Sequence, residues 1–228
     1  MTIKKDEAIE SVLSDFEGLA NKLLAQLDLL EEIMGVSELN IPNKILKKIM
    51  ANEEEIDQME IKISDKIIRT IVLYSPLASD IRKLMACYRI VINLERIGDL
   101  VVNITGFFQM IKKQEVYDLM SDVISSTLIQ SVNMVKKSLL SFTHDDREFA
   151  IWTIKNDTVV DEINQKLFKK AIKKSHVSEE NKQLFLSFVN IKEIVSNIER
   201  IADHATNIAE AAIYSFEGKD IRHQPLDE

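Results

Sequence analysis

Leu94-Glu95-Arg96-Ile97-Gly98-Asp99-Leu100-Val101-Val102-Asn103-Ile104 returns 104 residues later as Ile198-Glu199-Arg200-Ile201-Ala202-Asp203-His204-Ala205-Thr206-Asn207-Ile208. Glu, Arg, Ile, Asp, Asn and Ile recur at identical relative positions. The same offset carries Asn52, Glu53 and Asp57 onto Asn156, Asp157 and Asp161. Each copy therefore holds two acid-x-x-x-acid pairs, 42 residues apart. One such pair recurs easily by chance among 37 acidic residues. Two pairs at one spacing in both copies do not, so the chain is a tandem duplication without a gap through these segments.

Apolar residues around the motifs recur at steps of three and four, the period of an amphipathic helix. The first helix is expected over 3–34, with Ile9, Val12, Leu13, Phe16, Leu19, Leu23, Leu27 and Leu30 on one stripe and Gly35 as terminator. A second is expected over 42–73, opening at Pro42, with Ile45, Ile49, Ile56, Met59, Ile63, Ile67 and Val72 on its stripe. Ser75 and Pro76 suit the cap and first turn of a third, running to 112. Its apolar arc is wide, which suggests a dimer. Gly98 and Gly106 inside it imply close approach by a neighbour, because each costs about 1 kcal/mol of helix propensity. The plan then repeats. A fourth helix spans 116–142, a fifth starts at Thr143-His144-Asp145-Asp146 and runs to 175, and a sixth runs from Ser178-Glu179-Glu180 to 216, stopping at Gly218.

The expected fold is all-α, two three-helix bundles in tandem over 1–114 and 115–218, with a frayed polar tail over 219–228. With only 5 Gly and 3 Pro in 228 residues, turn-rich architectures are disfavoured. The net charge of −8 argues against a nucleic-acid partner and suits a cation. Cys87 is the sole cysteine, so neither an internal disulfide nor a multi-thiolate metal site is available. Met1 to Glu10 lacks the apolar core of a signal peptide, and no apolar run is long enough to span a bilayer. A cytoplasmic protein that meets membranes only through partners is the expectation.

Residues four apart share a helix face, so Glu95, Asp99 and Asn103 form one polar ridge, opposite the stripe of Leu94, Ile97, Val101 and Ile104. A hairpin turning at Pro76 brings Glu53 opposite Asp99 and Asp57 opposite Glu95. A turn within Ser178-Glu179-Glu180 does the same for Asp157 with Asp203 and Asp161 with Glu199. The capping residues fix both turns without reference to the acids, yet in each copy all four carboxylates fall at one level. Acids at this spacing are ordinarily solvated surface, and clustered like charges destabilise one another. The doubled, level-matched arrangement argues for a bound cation, and all-oxygen donors suit Mg²⁺, Mn²⁺, Ca²⁺ or iron. Arg96 and Arg200 point elsewhere on their helices, as orienting groups for a neighbouring pair. Asn103 and Asn207 are donors to the ligating carboxylates or inter-helix hydrogen bonds. His204 is an added ligand or a surface group, with Leu100 as its counterpart. The chain has no Glu-x-x-His, Gly-rich phosphate loop or nucleophile elbow, so no catalytic machinery is expected beyond a metal-bound water.

These paired motifs resemble the PhoU family, as do Pro76-Leu77-Ala78-Ser79-Asp80-Ile81-Arg82 and Phe216-Glu217-Gly218-Lys219-Asp220-Ile221-Arg222-His223. The resemblance covers residues 45–110 and 150–224. It implies two similar three-helix bundles with surface metal clusters of iron or zinc, Mg²⁺ or Mn²⁺ being further options. The implied ligands are Glu53, Asp57, Glu95 and Asp99, then Asp157, Asp161, Glu199 and Asp203. The implied role is negative regulation of phosphate uptake and phosphate-starvation signalling. The implied partners are the ATPase subunit of a phosphate ABC transporter and a sensor histidine kinase. The alternatives are an accessory regulator of a different phosphate transporter and a carboxylate-metal enzyme acting on phosphate esters. Ala202 in place of Gly98, His204, and the first helix around Asn21 to Met34 depart from the family pattern.

Overall fold

The computed structural model describes residues 2–35, 39–157, 160 and 180–222. Helix α1 (Thr2–Met34) leads through Pro42 into α2 (Asn43–Tyr74), which turns back into α3 (Ala78–Met110). The stripes expected from sequence face inward. Val12, Phe16, Leu19, Leu23, Leu27 and Leu30 of α1 are buried against Ile49, Ile56, Ile63 and Ile67 of α2 and the inner face of α3. Val72 is the exception, 72% exposed where α2 runs out towards the turn. The turn itself differs from the sequence expectation. Ser75 closes α2 in the left-handed region (φ 43°), its N–H donating to the Ile71 carbonyl at 3.0 Å. Extended Leu77, not Ser75, precedes the first turn of α3.

The expected fourth helix is broken in two: a short α4 (Gln114–Asp118), then α5 (Ser121–His144). Tyr117 gives the reason. Its ring is buried edge-on to Phe108 at 5.3 Å, and its hydroxyl donates to the Met34 carbonyl at 2.9 Å. One turn of helix is thereby fixed across the C-terminal end of α1, and α5 starts afresh in a new direction. Asp145 (φ 54°) ends α5, and the Asp146 carboxylate accepts the N–H groups of Glu148 and Phe149, a capped start for α6 as expected. Helix α6 covers 147–157 and includes Val160. Its expected extension to 175 lies outside the described residues, as does Asp161. Helix α7 (Glu180–Glu217) ends at Gly218, whose φ of 72° explains the glycine.

Beyond it, Asp220 holds Arg222 through both carboxylate oxygens, and Ile221 packs against the Ala150, Ala209 and Ile213 cluster. The start of the expected frayed tail is therefore anchored. The bundles share one continuous core, and α3 makes its most extensive contacts with α7. That accounts for the wide apolar arc of α3 within a single chain and removes the reason for inferring a dimer from it. The two helices are antiparallel. Asn190 donates to the Met110 carbonyl, Ser187 accepts from Lys112 and Lys113, and His204 lies 2.8 Å from Asn93.

A candidate carboxylate metal centre

Ile56 lies fully buried on the inner face of α2, and Glu53 and Asp57 flank it. A Cβ added at Gly98 of α3 would stand 3.5 Å from two atoms of Ile56, which is ordinary contact. This buried apolar contact sets the level at which the acids of the two helices meet. One oxygen from each of Glu53, Asp57 and Asp99 lies within 4.8 Å of the others, all three side chains being half-buried. The glycine expectation holds only loosely. Alanine would fit at Gly98, as Ala202 does in the second copy, and nothing approaches within 4 Å at Gly106.

Glu95 is the fourth expected member, and it stands beside this triad rather than within it. Arg96 sits between Glu95 and Asp99. Its Nε is 3.4 Å from one Glu95 oxygen, and its Nη1 donates to Asp99 at 3.3 Å. Arg96 thus serves the acids of its own motif, not a neighbouring pair as its position along the helix suggested. Burial, then the charges of Asp57 and Asp99, raise the Glu53 carboxyl above its ordinary pKa. Burial and Asp99 also raise Glu95, and Arg96 opposes them. Asp57 Oδ1 is shielded from solvent with no hydrogen-bond partner. A buried carboxylate oxygen without a donor is costly. A cation shared with Glu53 and Asp99 would satisfy it. The donor set is all oxygen, which fits a hard or borderline divalent ion or iron.

In the second copy Asp157 and Glu199 are half-buried and Asp203 is exposed. All three take part in polar or electrostatic contacts. Their expected partner Asp161 lies outside the described residues. Arg200 is exposed and forms no ion pair among the described residues, unlike Arg96. Asn103 and Asn207 are exposed and join no helices through side-chain hydrogen bonds among the described residues. His204 is half-buried, with Nδ1 turned to Asn93 of α3, so it links the two halves. Burial, Arg200 and Arg96 lower its pKa.

The register of α3 against α7 places Glu95 and Asp99 level with Asp203 and Glu199. Sequence reasoning missed Gln26. It is fully buried behind the motif, and its Nε2 donates to the Gly98 carbonyl at 3.3 Å. The available signal was a polar residue amid the Leu23, Leu27 and Leu30 stripe.

Fold and site together define a duplicated helical-bundle protein with a surface carboxylate centre at a hairpin level. The PhoU domain profile matches residues 19–106 and again 111–212, and the chain belongs to that family. A Burkholderia protein named phosphate-specific transport system accessory protein PhoU homolog is 30% identical over 67% of this chain, the match spanning 65% of that protein. For a Xylella fastidiosa homolog of the same name, the match is 28% identical and spans 62% of its length. The chain thus spans just under two thirds of these curated relatives. A Thermotoga maritima PhoU homolog is 24% identical over 95% of this chain and 81% of its own. The crystal structure of PhoU from Pseudomonas aeruginosa superposes with a TM-score of 0.80 at 23% identity, covering 94% of this chain and 99% of that one. PhoU from Streptococcus pneumoniae gives 0.74 at 20% identity, covering 95% and 98%. The fold expected from sequence is the fold observed. The relatives' names designate accessory and regulatory proteins, not enzymes.

Proposed function

We propose that this protein is a metal-binding accessory regulator of phosphate transport. In this reading it restrains uptake and phosphate-starvation signalling by bridging a transporter ATPase subunit and a sensor histidine kinase in the cytoplasm. The observation that carries the metal half is the Glu53, Asp57 and Asp99 triad, with the solvent-shielded, donorless Oδ1 of Asp57. Family membership and the relatives' names support the transport half. Glu53, Asp57 and Asp99 would hold the ion, with Glu95 beside them. Asp157, Asp161, Glu199 and Asp203 are the corresponding donors of the second copy. Iron or zinc, or Mg²⁺ or Mn²⁺, would supply positive charge on an otherwise acidic face. The described helices include none long and apolar enough to cross a membrane, which supports contact with the bilayer through partners.

The reading is tested by elemental analysis of purified protein after loading with iron, zinc, manganese or magnesium, alongside a phosphate-starvation reporter in a strain lacking the protein. Stoichiometric metal in the wild type, lost from the first site in a D57A/D99A variant, is expected. The reporter should be active in high phosphate without the protein, silenced by the wild type and not by that variant. A protein that takes up no metal yet silences the reporter would leave a purely protein–protein regulator.

A further inference from the structure

We infer that Arg96 is a built-in counter-cation of the first carboxylate centre, one that competes with metal and sets the concentration at which the centre fills. The inference rests on the metal-binding reading above. It starts from an asymmetry between two otherwise repeated motifs. Arg96 and Arg200 occupy equivalent positions, 104 residues apart, and both are exposed. Among the described residues Arg96 forms ion pairs, reaching both Glu95 and Asp99 of its own helix, and Arg200 forms none. Asp99 is also the member of the α2–α3 triad contributed by α3. The same carboxylate therefore faces two claimants, a guanidinium tethered three residues away and an ion seated between Glu53, Asp57 and itself.

Electrostatics decides the outcome. Without metal, a guanidinium beside two carboxylates in a crowded acidic cluster is stabilising. A divalent ion a few ångströms away reverses the sign for Arg96. The side chain is 57% exposed, so it can swing out into water at small cost. Metal binding must then displace an existing ion pair and bear residual repulsion from the same charge. A unit charge roughly 6–10 Å from a divalent ion in a water-like, partly screened medium corresponds to about a three- to tenfold weakening of affinity.

The test is calorimetric titration of Mn²⁺ into chelator-treated full-length wild type, R96Q and R96K at low ionic strength, with free Mn²⁺ followed independently by its electron paramagnetic resonance signal. R96Q keeps a long polar side chain without the charge and should bind Mn²⁺ about three- to tenfold more tightly at one class of site. R96K keeps the charge and should stay near wild type. The gap between R96Q and wild type should shrink as salt is added. Equal or weaker binding by R96Q would overturn the inference while leaving the metal reading intact. Binding by none of the three proteins would remove both.

Discussion

Replacing Asp57 by Asn separates the two consequences of crowding carboxylates. The substitution keeps the shape of the side chain and removes one charge from a triad whose oxygens lie within 4.8 Å of one another. In the presence of a chelator it relieves two like-charge contacts. In a half-solvated setting each is worth about 0.2–1 kcal/mol, so the folded state should gain roughly 0.5–2 kcal/mol. For a chain of 228 residues, 1 kcal/mol moves Tm by about 2–4 °C, so D57N should melt about 1–8 °C above wild type in chelator. Metal reverses the order. A ligand at a hundred times its Kd stabilises the folded state by about 2.7 kcal/mol, or roughly 5–11 °C here. Wild type should gain that increment at the first centre, whereas D57N should keep only what the second copy provides. Scanning calorimetry in chelator and then in excess Mn²⁺ reads both effects. A D57N variant less stable than wild type in chelator, or one gaining as much from metal, would refute the reasoning.

The glycines give a second set of outcomes. Nothing lies within 4 Å of a Cβ at Gly106, so G106A should raise Tm by about 1–4 °C through helix propensity alone. G98A should be tolerated, since its methyl would meet Ile56 at ordinary contact distance. G218A should be destabilising by about 1–2 kcal/mol, because φ is +72° and its Cβ would press on the Arg82 guanidinium at 3.3 Å. A thermal melt of each variant checks these. The acids also predict a pH dependence. Glu53 and Glu95 are both raised above their ordinary value of 4.5, chiefly by burial. Their contribution to stability is therefore complete below about pH 4.5 and is lost as pH rises through the raised folded values. Denaturant titrations of metal-free protein from pH 4 to 7 should show this loss in wild type, and a flatter profile in E53Q/E95Q.

The first three helices and the level of the first copy's acids were legible in the sequence because both follow from spacing. Period fixes which face of α1, α2 and α3 is apolar, and a hairpin turn fixes which residues meet across it. The turn survived a mistaken cap. Ser75 closes α2 instead of opening α3, yet Pro76 still marks the reversal, so Glu53 still meets Asp99. The break between α4 and α5 was not legible. It contains no glycine or proline and comes from Tyr117 seeking the Met34 carbonyl, a contact 83 residues away in the chain. Side-chain direction was the other blind spot. Arg96 has a rotamer that returns to its own motif, and His204 crosses to Asn93, because in each case the partner lies on a face that periodicity alone does not resolve.

The repeat of the motif and the unequal pairing of its arginines among the described residues bear on why the chain keeps two copies. The duplication places like sets of acids on α3 and α7, so identical copies would fill together at one metal concentration. Arg96 pairs with Glu95 and Asp99, and Arg200 makes no such pair among the described residues. Under the metal-binding reading, the two centres would then fill at two thresholds instead of one. Surface charge would build in two steps as metal rises, and a partner sensing it by electrostatics would meet three distinguishable states. Neutralising Arg96 should collapse the two steps towards one, and a two-phase Mn²⁺ isotherm in wild type that becomes monophasic in R96Q is the expected signature. An isotherm with the same two phases in both proteins would locate the difference between the copies elsewhere, in His204 or in the acids of the second site.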